Sequence, residues 1–206
     1  MVSRFLAHDL LWGMTPQQLP VDAPAWVVES ICAGQPVVVR RALSTADRIA
    51  VGVRGRLREQ RFGTSMAMAA ISRRVSPEEL CHVDSHRDLP ALEALAQLRP
   101  VLDACGWVWG VSGSAGFELA SGFAALHEAS DLDLILRTPH PLARDQAREL
   151  VALLDAAPCV VDMQLQTSFG AVALREWAGS STRVLLKNAT GACLVIDPWN
   201  PQEQAA

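Results

Sequence analysis

The segment from Ser130 to Leu136 (SDLDLIL) constrains the fold of this chain more than any other. It begins with acidic residues and continues as an apolar run, which predicts a short buried β-strand. Side chains two positions apart lie on the same face of a strand, roughly 6.6 Å apart along it. We therefore expect Asp131 and Asp133 to point to one side of a sheet, and Leu132 and Leu134 to point into the core.

Strand and helix patterns alternate on both sides of this segment, which predicts a mixed α/β (α+β) fold. A polar stretch over residues 82–88, before Pro90, predicts a boundary between a small N-terminal basic α/β domain of residues 1–85 and a second domain of residues 86–206. The predicted strands cover residues 36–40, 49–54, 107–111, 132–136, 159–165, 182–186 and 192–196, the last two as a hairpin. One helix is predicted to begin at Ser76, and others to cover residues 89–105 (bent or interrupted at Pro100), 117–126 and 142–154.

The paired carboxylates indicate a metal site. Two neighbouring carboxylates repel each other unless a cation neutralises them, and oxygen ligands of this kind suit Mg²⁺ or Mn²⁺. Asp131 and Asp133 are therefore candidate metal ligands and catalytic residues. A third acid on a neighbouring strand would complete a two-metal site, and Asp162 is placed to supply it.

The dipeptide Gly113-Ser114, which begins a predicted turn over residues 113–116, indicates a phosphate site. Glycine lets the backbone come close to a ligand, and the helix start that follows offers N–H groups and the positive end of a dipole. The Ser114 hydroxyl can donate a hydrogen bond to a phosphate oxygen. A glycine-serine turn and an Asp-x-Asp pair are each common, but their combination favours metal-assisted phosphoryl chemistry.

The charge distribution is uneven. The formal net charge of −4 argues against general affinity for nucleic acids. Between Arg40 and Arg74, however, nine arginines stand against two acids, so this segment carries +7 and the rest of the chain −11. Such asymmetry indicates a local anionic partner or a solvated cationic surface. The single lysine, Lys187, is a candidate phosphate contact or an ordinary surface residue.

The overall composition is that of a globular chain, because half the residues are apolar and under a fifth are charged. The chain contains no run of about 18 apolar residues, so no membrane span is predicted. The N-terminus lacks the pattern of a secretory signal. We therefore expect a cytoplasmic protein with no membrane partner. The five scattered cysteines predict neither a zinc site nor a disulfide framework.

The glycine-serine turn, the Asp-x-Asp pair and the later acid together resemble the nucleotidyltransferase superfamily of the polymerase-β type. Longer segments look more specifically like the phosphoribosyl-dephospho-CoA transferase family of malonate decarboxylase, also called holo-acyl-carrier-protein synthases. The similar segments span nearly the whole chain, and GSAGFEL at residues 113–119 is the most specific. They cover residues 9–12, 38–41, 51–55, 109–122, 130–134, 161–164 and 197–199.

This resemblance implies a nucleotidyltransferase-type mixed sheet with flanking helices in the second domain. It also implies transfer of a phosphoribosyl-dephospho-CoA group from triphosphoribosyl-dephospho-CoA to a serine of the apo acyl-carrier subunit of malonate decarboxylase, with release of diphosphate. Mg²⁺ or Mn²⁺ on Asp131 and Asp133 would polarise the α-phosphate, and Gly113 and Ser114 would hold the other phosphates. The candidates for binding the polyanionic substrate or an acidic carrier surface are Arg54, Arg56, Arg58 and Arg61.

Several alternatives stay open. The resemblance leads us to expect an acid where Gln166 stands, so the third metal ligand is either Asp162 or a residue at that later position. The chain can instead be a nucleotidyltransferase acting on another protein or on a small-molecule hydroxyl, or a non-catalytic nucleotide-binding relative. A further alternative is an α/β adaptor in which Asp131 only caps a helix or strand. The presence of both aspartates of the pair favours an enzyme.

Overall fold

In the first β-sheet every strand pair that the structure describes is antiparallel, and a helix packs against one face. The computed structural model describes residues 5–57 and 59–201. The elements of this half are β1 (Leu10–Trp12), α1 (Ala25–Cys32), β2 (Val37–Val39), β3 (Arg48–Arg54), β4 (Arg61–Ala67) and β5 (Arg73–Val75). The strand order is β4-β3-β2-β1-β5. Val27 and Ile31 of α1 are buried in one core with residues of β1 to β4, because β-branched side chains alternate across these strands.

The second sheet is mixed and follows in the chain. Its elements are α2 (Pro90–Ala104), β6 (Val108–Val111), α3 (Gly113–Ser121), β7 (Leu132–Arg137), α4 (Arg144–Asp155), β8 (Val161–Gln166), β9 (Ala171–Ala173), α5 (Leu174–Ala178), β10 (Val184–Lys187) and β11 (Ala192–Val195). The strand order is β11-β10-β9-β8-β7-β6, and only the pair β7–β8 is parallel among those described. None of the helices within the described ranges has both the length and the apolar character needed to cross a membrane.

Helix α4, which connects β7 to β8, packs against one face of the second sheet. The other face is turned toward the first sheet. Parallel strands need such a connection, and Leu150 and Leu154 of α4 lie in the same core as Leu132 and Leu134 of β7. The side chain of Asp133, and the side chains of β8 that point the same way as Asp133, therefore project from the opposite face. The first sheet approaches that face, because the guanidinium of Arg41 donates a hydrogen bond of 3.0 Å to Oε1 of Gln164.

The predicted mixed α/β class is confirmed, and all seven predicted strands are present within two residues of the expected bounds. The helix expected to begin at Ser76 is a single 3-10 turn, Pro77–Leu80, and the N–H of Ser76 donates to the Glu79 carboxylate. Pro100 does not interrupt α2, whose residues Leu95, Leu98 and Leu102 are buried on one side.

The expected turn over residues 113–116, followed by a helix over residues 117–126, is wrong in its bounds. Helix α3 begins at Gly113 and ends at Ser121, so no separate turn over residues 113–116 precedes it. Gly113 has a left-handed φ of +60°, and the N–H of Gly116 already bonds to the carbonyl of Ser112. The elements β1, β4, β5, β9, α1 and α5 were not predicted from the sequence.

The segment between the two sheets belongs to the second core. Strand β5 ends at Val75, and Leu80 and Cys81 already pack among the residues of the larger core. The proposed division between residues 85 and 86 stays a prediction.

Candidate active site

Three aspartates line one cavity at the open face of the second sheet. Asp133 of β7 and Asp162 of β8 are direct partners in the parallel register, so the two side chains leave the sheet at the same level. Asp131 lies immediately before β7. Leu132 and Val161 are fully buried on the other side of the sheet. The alternation of side chains in the two strands therefore turns the acids toward one space.

This acidic cavity has a volume of about 240 Å³. It lies between the β3–β4 hairpin of the first sheet, the start of α3 and the loop that precedes β7. Both halves of the chain thus contribute to one site. Of the residues predicted from the sequence, eight line it: Arg54, Arg56, Arg61, Gly113, Ser114, Asp131, Asp133 and Asp162.

Gly113 allows α3 to start directly against Asp133. A Cβ atom at Gly113 would lie 1.8 Å from Oδ2 of Asp133, which no real structure tolerates. The φ of +60° also favours glycine at this position. The backbones are joined as well, because the N–H of Ser112 donates to the carbonyl of Asp133 over 2.9 Å. The predicted phosphate turn and the predicted metal ligand are therefore in contact.

Arg54 connects the first sheet to the start of α3. Its Nη2 donates to the Ser114 hydroxyl over 2.8 Å and to the carbonyl of Ala125 over 3.2 Å. Its guanidinium lies 5.6 Å from the centroid of the Phe117 ring. Burial and the positive charge of Arg61 lower the pKa of Arg54 to about 10, although the negative charges of Asp133 and Glu118 oppose the shift. Arg54 therefore remains a cation at neutral pH.

Glu118 fixes the loop that closes one side of the cavity. This buried carboxylate accepts hydrogen bonds from the N–H groups of Ala125 (2.7 Å) and Leu126 (2.8 Å), and from Nη1 of Arg87 (2.6 Å). Burial works against the charged carboxylate, but the two amides and Arg87 outweigh it and lower its pKa. These contacts make Glu118 the anchor of this loop.

The donor set of the cavity suits a metal ion that is shared with substrate phosphates. Within the described parts of the chain, no group of three or more His, Cys, Asp or Glu side chains is arranged to hold a metal ion alone. Mg²⁺ commonly takes only one or two carboxylates from a protein and completes its shell with water and phosphate oxygens. Asp131 and Asp133 fit that pattern, and Asp162 is the acid nearest in register to Asp133.

Two other candidate positions do not line the acidic cavity. Lys187 is exposed at the end of β10, three strands from β7, and does not line the acidic cavity. Gln166 lies four residues beyond Asp162, opposite Arg137 in register, and its amide nitrogen is 3.5 Å from Oε1 of Gln164. Asp162 is therefore better placed than position 166 to join Asp133. Arg58 lies outside the described residues.

Other residues of the site carry no clear signal in the sequence. His127 and Ser130 line the cavity beside Arg61, which is the cross-strand partner of Arg54. The excess of arginines in this segment predicted Arg61, whereas no pattern pointed to His127 or Ser130. The Ala125 carbonyl, which accepts from Arg54, belongs to the backbone, so no residue type could have revealed it.

Two family models match the chain in succession. The one described as the phosphoribosyl-dephospho-CoA transferase MdcG N-terminal domain matches residues 6–77, and the one described as the C-terminal domain of the same transferase matches residues 79–198. The first match contains the whole of the first sheet with Arg54. The second contains the three aspartates and Gly113.

Curated proteins named phosphoribosyl-dephospho-CoA transferase are similar over nearly their full lengths. One from Pseudomonas fluorescens (strain Pf0-1) is 70% identical over 206 residues, which are 100% of each chain. One from Pseudomonas putida (strain W619) is 58% identical over 199 residues, 97% of each chain. One from Azotobacter vinelandii (strain DJ) is 54% identical over 197 residues, 93% of each chain. No solved structure matches the chain significantly.

Proposed function

Because the chain belongs to the phosphoribosyl-dephospho-CoA transferase family, we propose that it catalyses the transfer named in that family. Its substrate is triphosphoribosyl-dephospho-CoA, and its acceptor is a serine of the apo acyl-carrier subunit of malonate decarboxylase. The serine oxygen forms a bond to the α-phosphorus, the bond from that phosphorus to the diphosphate breaks, and the serine proton is released.

The meeting of Asp133, Asp162, Gly113 and Arg54 in one cavity carries this proposal. Transfer of a phosphoryl group depends on positioning and on neutralising charge rather than on a protein nucleophile. The cavity offers carboxylates on one side and arginines on the other, with a helix start between them. This arrangement supports binding of a polyphosphate whose metal ions face the carboxylates.

Asp131 and Asp133 would hold Mg²⁺ or Mn²⁺, with Asp162 as a further ligand. When bound, the metal ion polarises the phosphate oxygens and neutralises the departing diphosphate. A carboxylate of the same group is suited to accept the serine proton. The first N–H groups of α3 and the Ser114 hydroxyl provide donors for the phosphates.

Arg54, Arg56 and Arg61 add the positive charge that the polyanionic substrate requires. Arg54 is already oriented by Ser114 and Ala125, so its position is set before substrate binds. Arg56 is exposed at the edge of the cavity, where it can contact either the substrate or an acidic carrier surface. We propose that the acceptor serine enters from this edge.

The reaction can be followed by intact mass spectrometry. The purified chain is incubated with Mg²⁺, triphosphoribosyl-dephospho-CoA and the apo acyl-carrier subunit, and the mass of the carrier is measured. We expect a gain equal to the phosphoribosyl-dephospho-CoA group, lost when Asp131→Asn or Asp133→Asn is used and lost when EDTA removes the metal ion. A normal gain with either variant would contradict the proposed site.

Two controls separate the site and the acceptor from general effects. Asp145→Asn changes an exposed aspartate of α4, on the opposite side of the second sheet, and should leave the mass gain intact. A carrier whose acceptor serine is replaced by alanine should gain no mass. Equal modification of an unrelated acyl carrier protein would contradict the proposed acceptor.

A further inference from the structure

A second cavity, of about 390 Å³, adjoins the acidic cavity. It lies between β2, β3 and β4 of the first sheet and the β6–α3 connection. The two cavities share Arg54, Arg61 and Gly113 as walls. One ligand can therefore extend through both, with one part beside the aspartates and another part in the second cavity.

The floor of the second cavity is the face of the first sheet that α1 does not cover. Val53 of β3 is buried in the core beneath α1, so Gly52 and Arg54 on either side of it face the cavity. In the register of β3 and β4, Gly52 is the partner of Gly63, and Arg54 is the partner of Arg61. Two glycines therefore lie next to two arginines on this face.

The two glycines leave room for the side chain of Arg40, which directly follows β2 and extends across β3 to β4. A Cβ at Gly52 would lie 3.3 Å from Cδ of Arg40, and a Cβ at Gly63 would lie 2.2 Å from Nη1. Glycine inside a strand weakens the strand and often marks a place where another group approaches closely. Here the pair of glycines places a third guanidinium on the face that carries Arg54 and Arg61.

The second cavity is positively charged. Arg40, Arg54 and Arg61 line it, and no aspartate or glutamate is present among its described lining residues. None of the residues that the structure describes accepts a hydrogen bond from the Arg40 guanidinium or forms an ion pair with it. The donors of Arg40 are therefore available to an anion, and guanidinium groups bind phosphates through strong charge-assisted hydrogen bonds.

We propose, on the basis of the proposed function, that the second cavity binds the diphosphate of the dephospho-CoA moiety and that Arg40 is its specificity-determining contact. The substrate carries two polyanionic groups, the triphosphate that reacts and the diphosphate that joins adenosine to the pantetheine arm. The metal ions of the triphosphate require the carboxylates of the acidic cavity. The second cavity has guanidinium groups without carboxylates, which suits the diphosphate that takes no part in the reaction.

The remaining walls of the second cavity fit the groups that flank this diphosphate. Leu10, Val38 and Val111 are apolar lining residues, and they suit the sugar on one side of the diphosphate and the methyl groups of the pantetheine arm on the other. The volume lies at the lower end of the roughly 300–1,000 Å³ typical of small-molecule sites. The second cavity therefore has room for this part of the substrate, with the rest of the pantetheine arm outside.

Calorimetry with the full chain in EDTA, without carrier and without Mg²⁺, tests this assignment. We expect dephospho-CoA to bind, and adenosine, which lacks the diphosphate, to bind at least about 10-fold more weakly. Arg40→Gln should weaken dephospho-CoA binding roughly 10-fold, because it removes hydrogen bonds from a charged donor. Arg73→Gln, at an exposed arginine of β5 in the same sheet that lines neither cavity, should bind dephospho-CoA like the unmodified chain.

Gly63→Ala provides a second variant, which keeps the charge of Arg40 but displaces its guanidinium. It should weaken dephospho-CoA binding several-fold, so the test does not depend on Arg40→Gln alone. The assignment is overturned if dephospho-CoA does not bind, if adenosine binds equally well, or if folded Arg40→Gln and Gly63→Ala both keep the original affinity.

Initial rates of carrier modification separate this assignment from a role in carrier docking and from the proposed function. For Arg40→Gln we expect a higher KM for the nucleotide substrate, with kcat and the KM for the carrier unchanged, because the diphosphate is not a reacting group. A rise in the KM for the carrier alone would place Arg40 on the carrier surface and overturn the assignment. Dephospho-CoA binding that depends on Arg40 supports the second cavity even when no carrier is modified, and only the proposed acceptor then fails.

Discussion

The carboxylate of Asp133 lies directly against the backbone of Gly113, so that a Cβ there would be 1.8 Å from Oδ2 and 2.5 Å from Cγ. Asp133 cannot keep its position beside any larger residue. We expect Gly113→Ala to lower the turnover number at least about 100-fold, because a displacement of about 1 Å in such a site has an effect of that size. The rate of carrier modification at saturating substrate measures this.

Gly106→Ala is the matched control for this prediction. Gly106 also has a left-handed φ, +77°, but nothing lies within 4 Å of a Cβ placed there. Both variants should lose about 1–2 kcal/mol of unfolding free energy for the strained backbone. Only Gly113→Ala should lose activity. Equal activity of the two would show that contact with Asp133 has no catalytic importance.

A second prediction concerns the hydrogen bonds that Arg54 donates to Ser114 and Ala125. Arg54→Ala should reduce kcat/KM for the nucleotide substrate roughly 10- to 100-fold, because hydrogen bonds from a charged donor contribute about 1.5–3 kcal/mol. Arg54→Lys keeps the charge but cannot reproduce the planar fork, so we expect it to recover only part of the loss. Initial rates at varied nucleotide and fixed, saturating carrier provide the measurement.

Arg183→Ala, at an exposed arginine near the start of β10, is the control for a general loss of positive charge. Its kcat/KM should match that of the unmodified chain. If Arg183→Ala and Arg54→Ala have the same effect, the position of Arg54 carries no special role.

The strands that form the site were predictable because their signal is local. Alternation of apolar and acidic residues located both β7 and β8 and turned Asp133 and Asp162 to one face, and the register makes those two residues partners. The start of α3 was placed less well. Gly113, which has a left-handed φ, lies against Asp133, twenty residues later, and no local pattern expresses that contact.

The contribution of the first sheet could not be predicted in detail. Strand β4 (RFGTSMA) lacks a regular alternation of apolar residues, and its strand form depends on seven paired positions with β3. That pairing places Arg54 and Arg61 side by side at the cavity. The excess of arginines indicated an anionic partner, but only the packing of the sheets shows which arginines reach the aspartates.

A third prediction concerns the loop anchor Glu118. Glu118→Ala leaves the N–H groups of Ala125 and Leu126 without their acceptor, so we expect a loss of about 2 kcal/mol in unfolding free energy. Because the same loop supplies the Ala125 carbonyl to Arg54, the KM for the nucleotide should also rise several-fold. Urea unfolding measures the first effect, and hydrogen exchange at residues 125 and 126 should show faster opening of the loop.

Glu79→Ala is the control that separates an effect on stability from an effect on the active site. Glu79 also accepts a hydrogen bond from a backbone N–H, that of Ser76, over 2.7 Å, but it does not line the acidic cavity. Its loss should lower stability by about 1 kcal/mol and leave KM unchanged. An unchanged KM in Glu118→Ala as well would restrict Glu118 to a purely structural role.

The last prediction concerns the loss of folding stability at acidic pH, to which the titration of His8 contributes. Its Nε2 lies 3.0 Å from Nη2 of Arg41. Burial, followed by the charges of Arg41 and Arg137, lowers the pKa of His8 to about 4. The folded state therefore holds a neutral imidazole, whereas the unfolded chain binds a proton below its ordinary pKa of about 6.5. The stability that this group contributes is present above that value and is lost as the pH falls toward 4.

The size and origin of this effect can be measured together. At pH 5, protonation of His8 in the unfolded chain lowers the unfolding free energy by about 2 kcal/mol relative to pH 7. Near pH 4 this loss approaches about 3 kcal/mol. His8→Asn removes the titrating ring while retaining a residue that tolerates the left-handed φ of +76° at this position. Urea unfolding of both proteins at pH 7 and pH 5 should therefore show a smaller difference between the two pH values for His8→Asn. An equal difference in both proteins would show that His8 is not the source of the acid sensitivity between pH 7 and pH 5. Carboxylates such as Glu118, whose pKa is lowered, lose their contribution to stability only at lower pH.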